Sequence, residues 1–157
     1  MDRYPMTPEG LEALSEELKR LKDTDRHAVI KAIAAAREHG DLSENAEYHA
    51  ARERQGFVEG RIAELENIIS QAEPIDTSKM SGNTVRFGAT VIIADEDTGK
   101  ESTYRIVGAH EADISQGLIS ITSPLAKALI GKTIGDSADV QSPGGQKSYE
   151  ICKVLWK

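Results

Sequence analysis

Two carboxylates, Asp41 and Glu44, stand in the short connection Gly40-Asp41-Leu42-Ser43-Glu44-Asn45 between two long stretches of helical periodicity. Carboxylate oxygens suit magnesium, which takes an octahedral set of hard ligands and keeps several waters. Two exposed carboxylates do not hold that ion firmly by themselves. They can complete a site whose other carboxylates come from a partner. Two-metal phosphoryl chemistry has that need, with one ion activating water and the other stabilising the leaving oxygen. The same spacing also fits helix capping, with Asp41 as N-cap and Glu44 as its capping-box partner. Glu44 and Glu47 would then sit in the positive first turn of the second helix. Capping alone is worth roughly 1 kcal/mol. The residues leave both readings open.

Around the pair, Tyr48 falls one turn after Glu44 on the same face. It can position a water or stack on a base, or it can pack against the facing helix. Arg37 and Arg52 flank the connection, one on each arm. They can clamp the phosphates of a single strand, or form a solvated face paired with Glu38 or Glu53. Leu42 at a turn points to contact with another molecule. His39 and His49 form no metal-ligand pattern, and His27 and His110 read as surface residues.

These groups depend on the elements that carry them. Residues 8 to about 38 read as one helix. Thr7 is a hydroxyl N-cap and Pro8 suits the first helical position. Gly10, the third position, has no side chain to close a capping box. Leu11, Leu14, Leu18 and Leu21 repeat as a coiled-coil seam, and the stripe then drifts through Val29, Ile33 and Ala36 as at a stutter. Gly40 is the stop signal. A second helix from about Glu44 to Ala72 carries Ala51, Val58, Ile62, Leu65, Ile69 and Ala72 on one face, and Pro74 ends it. The short connection favours antiparallel neighbours. Small residues near the turn let the arms approach closely there.

After Pro74 the period changes. Val85–Ala94 and Ser102–Val107 read as strands around the acidic turn 95–99, and Leu118–Ile121 as a short third run. Ser123 and Pro124 start a short helix that ends at Gly131. Ala138–Gln141 and Ser148–Trp156 flank Pro143-Gly144-Gly145 as a hairpin. The fold class is therefore α+β in two domains: a helical hairpin over 1–75 and a small antiparallel β domain with a short helix over 76–157.

The 157 residues carry a net charge of −7, which argues against free-standing, sequence-specific DNA binding. Residues 1–75 hold 10 basic and 16 acidic side chains, and the remainder 9 and 10, so the first half carries nearly all the excess. No apolar run approaches a membrane span, so no membrane partner is expected. The single cysteine, Cys152, forms no internal disulfide, and a reducing cytoplasm is the natural setting.

The run from Glu38 to Glu53, continuing through Gln55 to Ile62, closely resembles the Gre family of bacterial transcript-cleavage factors, the GreA type in particular. Met6–Gly10, Phe87–Val91, Tyr104–Gly108, Ser123–Ala126 and Pro143–Gly145 resemble further pieces of that family in the right order. The resemblance implies a coiled-coil hairpin and an FKBP-like C-terminal domain. It implies RNA polymerase as partner, with the hairpin in the secondary channel. Asp41 and Glu44 would be the catalytic pair that shares a magnesium ion with the polymerase active site, with none bound stably alone. The 3′ end of backtracked nascent RNA would be cleaved by the polymerase, which makes this chain a helper and not itself an enzyme. Tyr48, Arg37 and Arg52 would position RNA or water, and the loop at Ser123 and Pro124 is the nominated docking point. A prolyl isomerase or chaperone and a channel plug without cleavage are the competing readings.

Overall fold

The computed structural model describes residues 3–40 and 45–156. The chain divides into two compact units. One comprises residues 11–71; the other joins the first ten residues to 72–157.

In the helical unit, α1 (Pro8–Arg20) runs through a π-helical stretch, Leu21–Asp25, into α2 (Arg26–Arg37). The chain is right-handed helical on both sides of the stretch, and the Arg26 N–H donates to the Leu21 carbonyl five residues back. The seam explains this wide turn. The buried residues Leu14, Leu21, Val29 and Ala36 are separated by seven, eight and seven positions. One extra residue between Leu21 and Val29 would rotate the stripe out of the seam, and a π turn absorbs one residue. The expected helix over 8–38 is thus continuous, and the drift of its stripe is taken up locally.

The returning helix, α3 (Ala46–Ser70), buries Ala51, Val58, Ile62, Leu65 and Ile68. Ion pairs show that the arms run antiparallel. Arg26 Nε and Nη2 each donate to the Glu59 carboxylate at 2.8 Å, and Arg61 holds Glu17 at 2.8 and 3.0 Å. Lys22 pairs with Glu66 at 2.8 Å. Ion pairs at the surface are weak, so they set register while the apolar seam holds the arms together.

In the second unit, β1 (Tyr4–Met6) pairs in parallel with β2 (Ala72–Pro74), Tyr4 opposite Ala72. α3 therefore stops at Ser70, and the chain before Pro74 is strand where helix was expected as far as Ala72. The main sheet has the order β5-β4-β3-β7-β6, built from β3 (Thr90–Asp95), β4 (Glu101–Val107), β5 (Leu118–Ser120), β6 (Ser137–Ser142) and β7 (Gly145–Leu155). It is mixed, and the expectation of a wholly antiparallel sheet is corrected at one edge. β5 lies parallel to β4, Arg105 opposite Leu118. The reason is the connection 108–117, which carries the chain back alongside the middle of β4, level with Arg105, before β5 begins. The other pairings are antiparallel. Alternation places Val91 and Ile93 inward with Ile106, Ile151 and, from α4 (Pro124–Leu129), Leu129, all fully buried. Val85 to Ala89 precede the sheet; Val85 is buried and donates its N–H to the Lys132 carbonyl.

The start of α1 belongs to this second unit. The Thr7 hydroxyl accepts from the Gly10 N–H at 3.0 Å, as an N-cap should. The carboxylate that a capping box would take from the third helical position comes instead from Glu111. It accepts from the Thr7 N–H at 2.8 Å, from the Thr7 hydroxyl, and from the Gly108 N–H at 2.9 Å. Gly10 is what admits it, because a Cβ there would lie 2.0 Å from Glu111 Oε1. Thr7 is consequently buried with its polar groups satisfied.

Candidate functional site

The candidate site is the closed end of the helical hairpin, where α2 hands over to α3. Asp41 and Glu44, the expected catalytic and metal-holding pair, lie with Leu42 and Ser43 outside the described residues. The groups on either side of them are placed.

α2 ends on backbone bonds from Glu38 to Ala35, His39 to Ala36 and Gly40 to Arg37, at 3.2–3.3 Å. Gly40 has φ +95°, a left-handed conformation that a side chain would strain. α3 begins at Ala46 with Asn45 as its cap, in extended conformation. Asn45 Oδ1 accepts the Tyr48 N–H at 3.0 Å. The capping reading, with Asp41 as cap and Glu44 as box partner, is corrected: the cap falls later, and the third position of α3 is Tyr48. Asparagine ranks with aspartate as an N-cap, so the sequence carried the signal, but the acid one turn earlier competed with it. Asn45 also donates from Nδ2 to the Ala36 carbonyl on the opposite arm at 2.6 Å. The partners fix which end of the amide is which, since a backbone N–H needs the oxygen and a carbonyl needs the NH₂.

Glu47 is the acid in the first turn of α3, and it lies 3.4 Å from His39 Nε2, an ion pair when the imidazole is protonated. Tyr48 is half-buried; its hydroxyl lies 3.4 Å from Arg52 Nη1, and its ring meets His49 edge-on at 5.6 Å. Arg37 and Arg52 are both exposed, and among the described residues neither pairs with Glu38 or Glu53. The structure thus brings Arg37, Tyr48 and Arg52 to the same end of the hairpin. Ser123 and Pro124 lie in the other unit, at the start of α4. There the Ser123 hydroxyl caps by accepting from the Ala126 N–H at 3.2 Å, and Pro124 is exposed.

Among the described residues no three His, Cys, Asp or Glu side chains gather as a metal site. Asn45 has both polar atoms engaged, and Glu47 faces His39. Sequence reasoning missed Asn45 and Glu111. Asn45 could have been found from its position just before the first apolar-periodic residue of α3. Glu111 lies 104 residues from Thr7 and had no local signal.

The comparisons with known proteins set the chain among transcription elongation factors. Residues 4–73 match the family described as transcription elongation factor, N-terminal, and residues 80–155 match transcription elongation factor, GreA/GreB, C-term. The chain belongs to this GreA/GreB family. It is 64% identical to transcription elongation factor GreA of Rhodospirillum rubrum over 98% of both chains. It is also 64% identical to that of Beijerinckia indica over the whole of both. Among solved structures it resembles GreA factor homolog 1 of Thermus thermophilus, with 26% identity, 98% and 99% coverage and a TM-score of 0.43. No helix among the described residues is long and apolar enough to cross a membrane.

Proposed function

We propose that this chain binds RNA polymerase, inserts its helical hairpin into the enzyme's secondary channel and stimulates the polymerase's own cleavage of backtracked RNA, so that arrested complexes resume elongation. The reading rests on one observation above the others: both halves of the chain match the elongation-factor family, at 64% identity to relatives that bear the GreA name. At the site, Asn45 holds the N-cap position of α3 for which Asp41 was the sequence's candidate.

In this reading Asp41 and Glu44 supply oxygens to a magnesium ion shared with the polymerase. When bound there, the ion provides charge stabilisation and an activated water for phosphodiester hydrolysis. The chain's own residues deliver, orient and exclude. Arg37 and Arg52 offer guanidinium groups to the phosphates of the extruded RNA strand. Tyr48 presents its ring and hydroxyl to the RNA 3′ end or to a water. The protein contributes half a site and is not an enzyme alone, and it acts in the cytoplasm with the polymerase. Ser123 and Pro124 remain the nominated docking point.

The test is RNA cleavage in a stalled polymerase complex at varied magnesium, with and without the protein. Asp41→Asn or Glu44→Gln should abolish stimulated cleavage while the half-saturating factor concentration moves less than about threefold. Parent-like cleavage by both variants overturns the metal role. Blocked elongation without shortened RNA would instead make the protein a plug.

A further inference from the structure

The outer face of α3 carries three residues for which the hairpin has no use. Gly56 and Gly60 stand in the interior of the helix, where glycine is a poor helix former, and a Cβ at either would meet nothing within 4 Å. Helical spacing sets both opposite the seam residues Val58 and Ile62. Phe57 beside them is 73% exposed, the most exposed large apolar side chain among the described residues. With Arg61 and Glu64 these three line an open groove of about 280 Å³. Glycines inside a helix and a ring left in water both forfeit stability in the free protein.

The chemistry of the groove says what covers it. Its charges are spent on one another: Arg61 donates to Glu17 through Nε and Nη2 at 2.8 and 3.0 Å, and to Glu64 through Nη1. One cation and two carboxylates leave a negative balance, so the groove does not draw a phosphate strand. What fits is an apolar protein segment, packed on the ring with its main chain close to the bare glycine backbone. The patch is also too small to hold a partner alone. A standard interface takes about 800 Å² from each side, and one phenylalanine offers roughly 150–250 Å². A second copy of this chain would need more area; a partner held by further contacts does not. Phe57 lies about 18 Å along α3 from Asn45, on the arm of the hairpin and away from its closed end.

We propose that Phe57, with the bare backbone of Gly56 and Gly60, is a contact surface for an apolar segment of the RNA polymerase protein, one that adds affinity and takes no part in cleavage. This rests on the polymerase binding proposed above and gives that binding a point on the hairpin arm, apart from the acids.

Equilibrium binding of the labelled full chain to core polymerase free of nucleic acid tests this. Phe57→Ala should weaken binding about tenfold, and Phe57→Leu should recover most of the loss. Gly60→Ala should weaken binding about threefold while raising the melting temperature of the hairpin, so affinity and stability move in opposite directions. Helical circular dichroism should show parent-like melting of Phe57→Ala, whose ring packs on nothing in the hairpin. At saturating factor, stalled complexes should be cleaved within about twofold of the parent rate by all three variants. Parent-like binding by Phe57→Ala overturns the proposal. A drop in hairpin melting temperature alongside the binding loss also overturns it, by making the ring structural. A loss confined to polymerase that carries RNA assigns the surface to RNA instead, and a parent dimer dissolved by Phe57→Ala assigns it to a second copy. A parent that binds polymerase without stimulating cleavage refutes the cleavage role alone, and weaker binding by Phe57→Ala then still upholds this contact.

Discussion

The two long helical arms begin in different ways. α1 starts on Thr7, and its capping carboxylate arrives from Glu111, far along the chain. α3 starts on Asn45, whose partners lie on the two helices it joins. The first start needs the β-rich unit to be folded around it; the second needs only the hairpin. Glycines mark the same contrast. Gly10 sits against Glu111, while Gly60, in the interior of α3, has nothing within 4 Å of where a Cβ would point. One glycine is required by a tertiary contact, and the other is not required by any contact among the described residues.

The comparison breaks most visibly at the first start. Glu111→Ala deprives three donors, the Thr7 N–H, the Thr7 hydroxyl and the Gly108 N–H, of their acceptor, at a cost of roughly 3 kcal/mol or more. Gly10→Ala should follow in the same direction by displacing that carboxylate. Denaturant unfolding followed by Trp156, the lone tryptophan, whose indole donates to the Gly82 carbonyl in this unit, measures both. Gly60→Ala should have the opposite sign and stabilise the hairpin by about 0.5–1 kcal/mol, read from helical circular dichroism during unfolding. If the two alanines behave alike, the contrast between the helix starts is wrong.

The smallest effect sharpens the hairpin side. Hydrogen bonds from Arg61 hold the Glu17 carboxyl below the ordinary glutamate value of 4.5, and those from Arg26 do the same for Glu59. A carboxyl depressed in the folded state stabilises fully above 4.5 and loses that contribution as pH falls through its folded value. Hairpin stability should therefore decline on acidification below about pH 4.5, and Glu17→Gln should flatten the decline by under about 1 kcal/mol. An unchanged slope in that variant would remove the Glu17–Arg61 pair from the account.

Much of the fold was legible because its signals are local. The seam of α1 and α2, Thr7 and Pro8, Ser123 and Pro124, and Gly40 all act through their own or adjacent turns. The boundary of α3 was misplaced because Asp41 and Asn45 are equally good caps, and only the register of the arms selects one. The parallel pairs β1·β2 and β4·β5 had no signature at all. Each joins segments whose partners are set by where other elements end; Leu118–Ile121 was legible as a strand, but three-residue strands carry too little pattern to declare their partners. At the candidate site the residue types were legible, including Arg37, Tyr48 and Arg52 on the two arms.

Periodicity, caps and composition, which live in single turns and single faces, determined a helical hairpin, a small β-rich unit and an acid-bearing connection between the arms. Tertiary structure decided which carboxylate completes the start of α1, where the extra residue of the seam is absorbed, and that one asparagine serves two helix ends. Those outcomes depend on distances between segments that the chain brings together only when it folds.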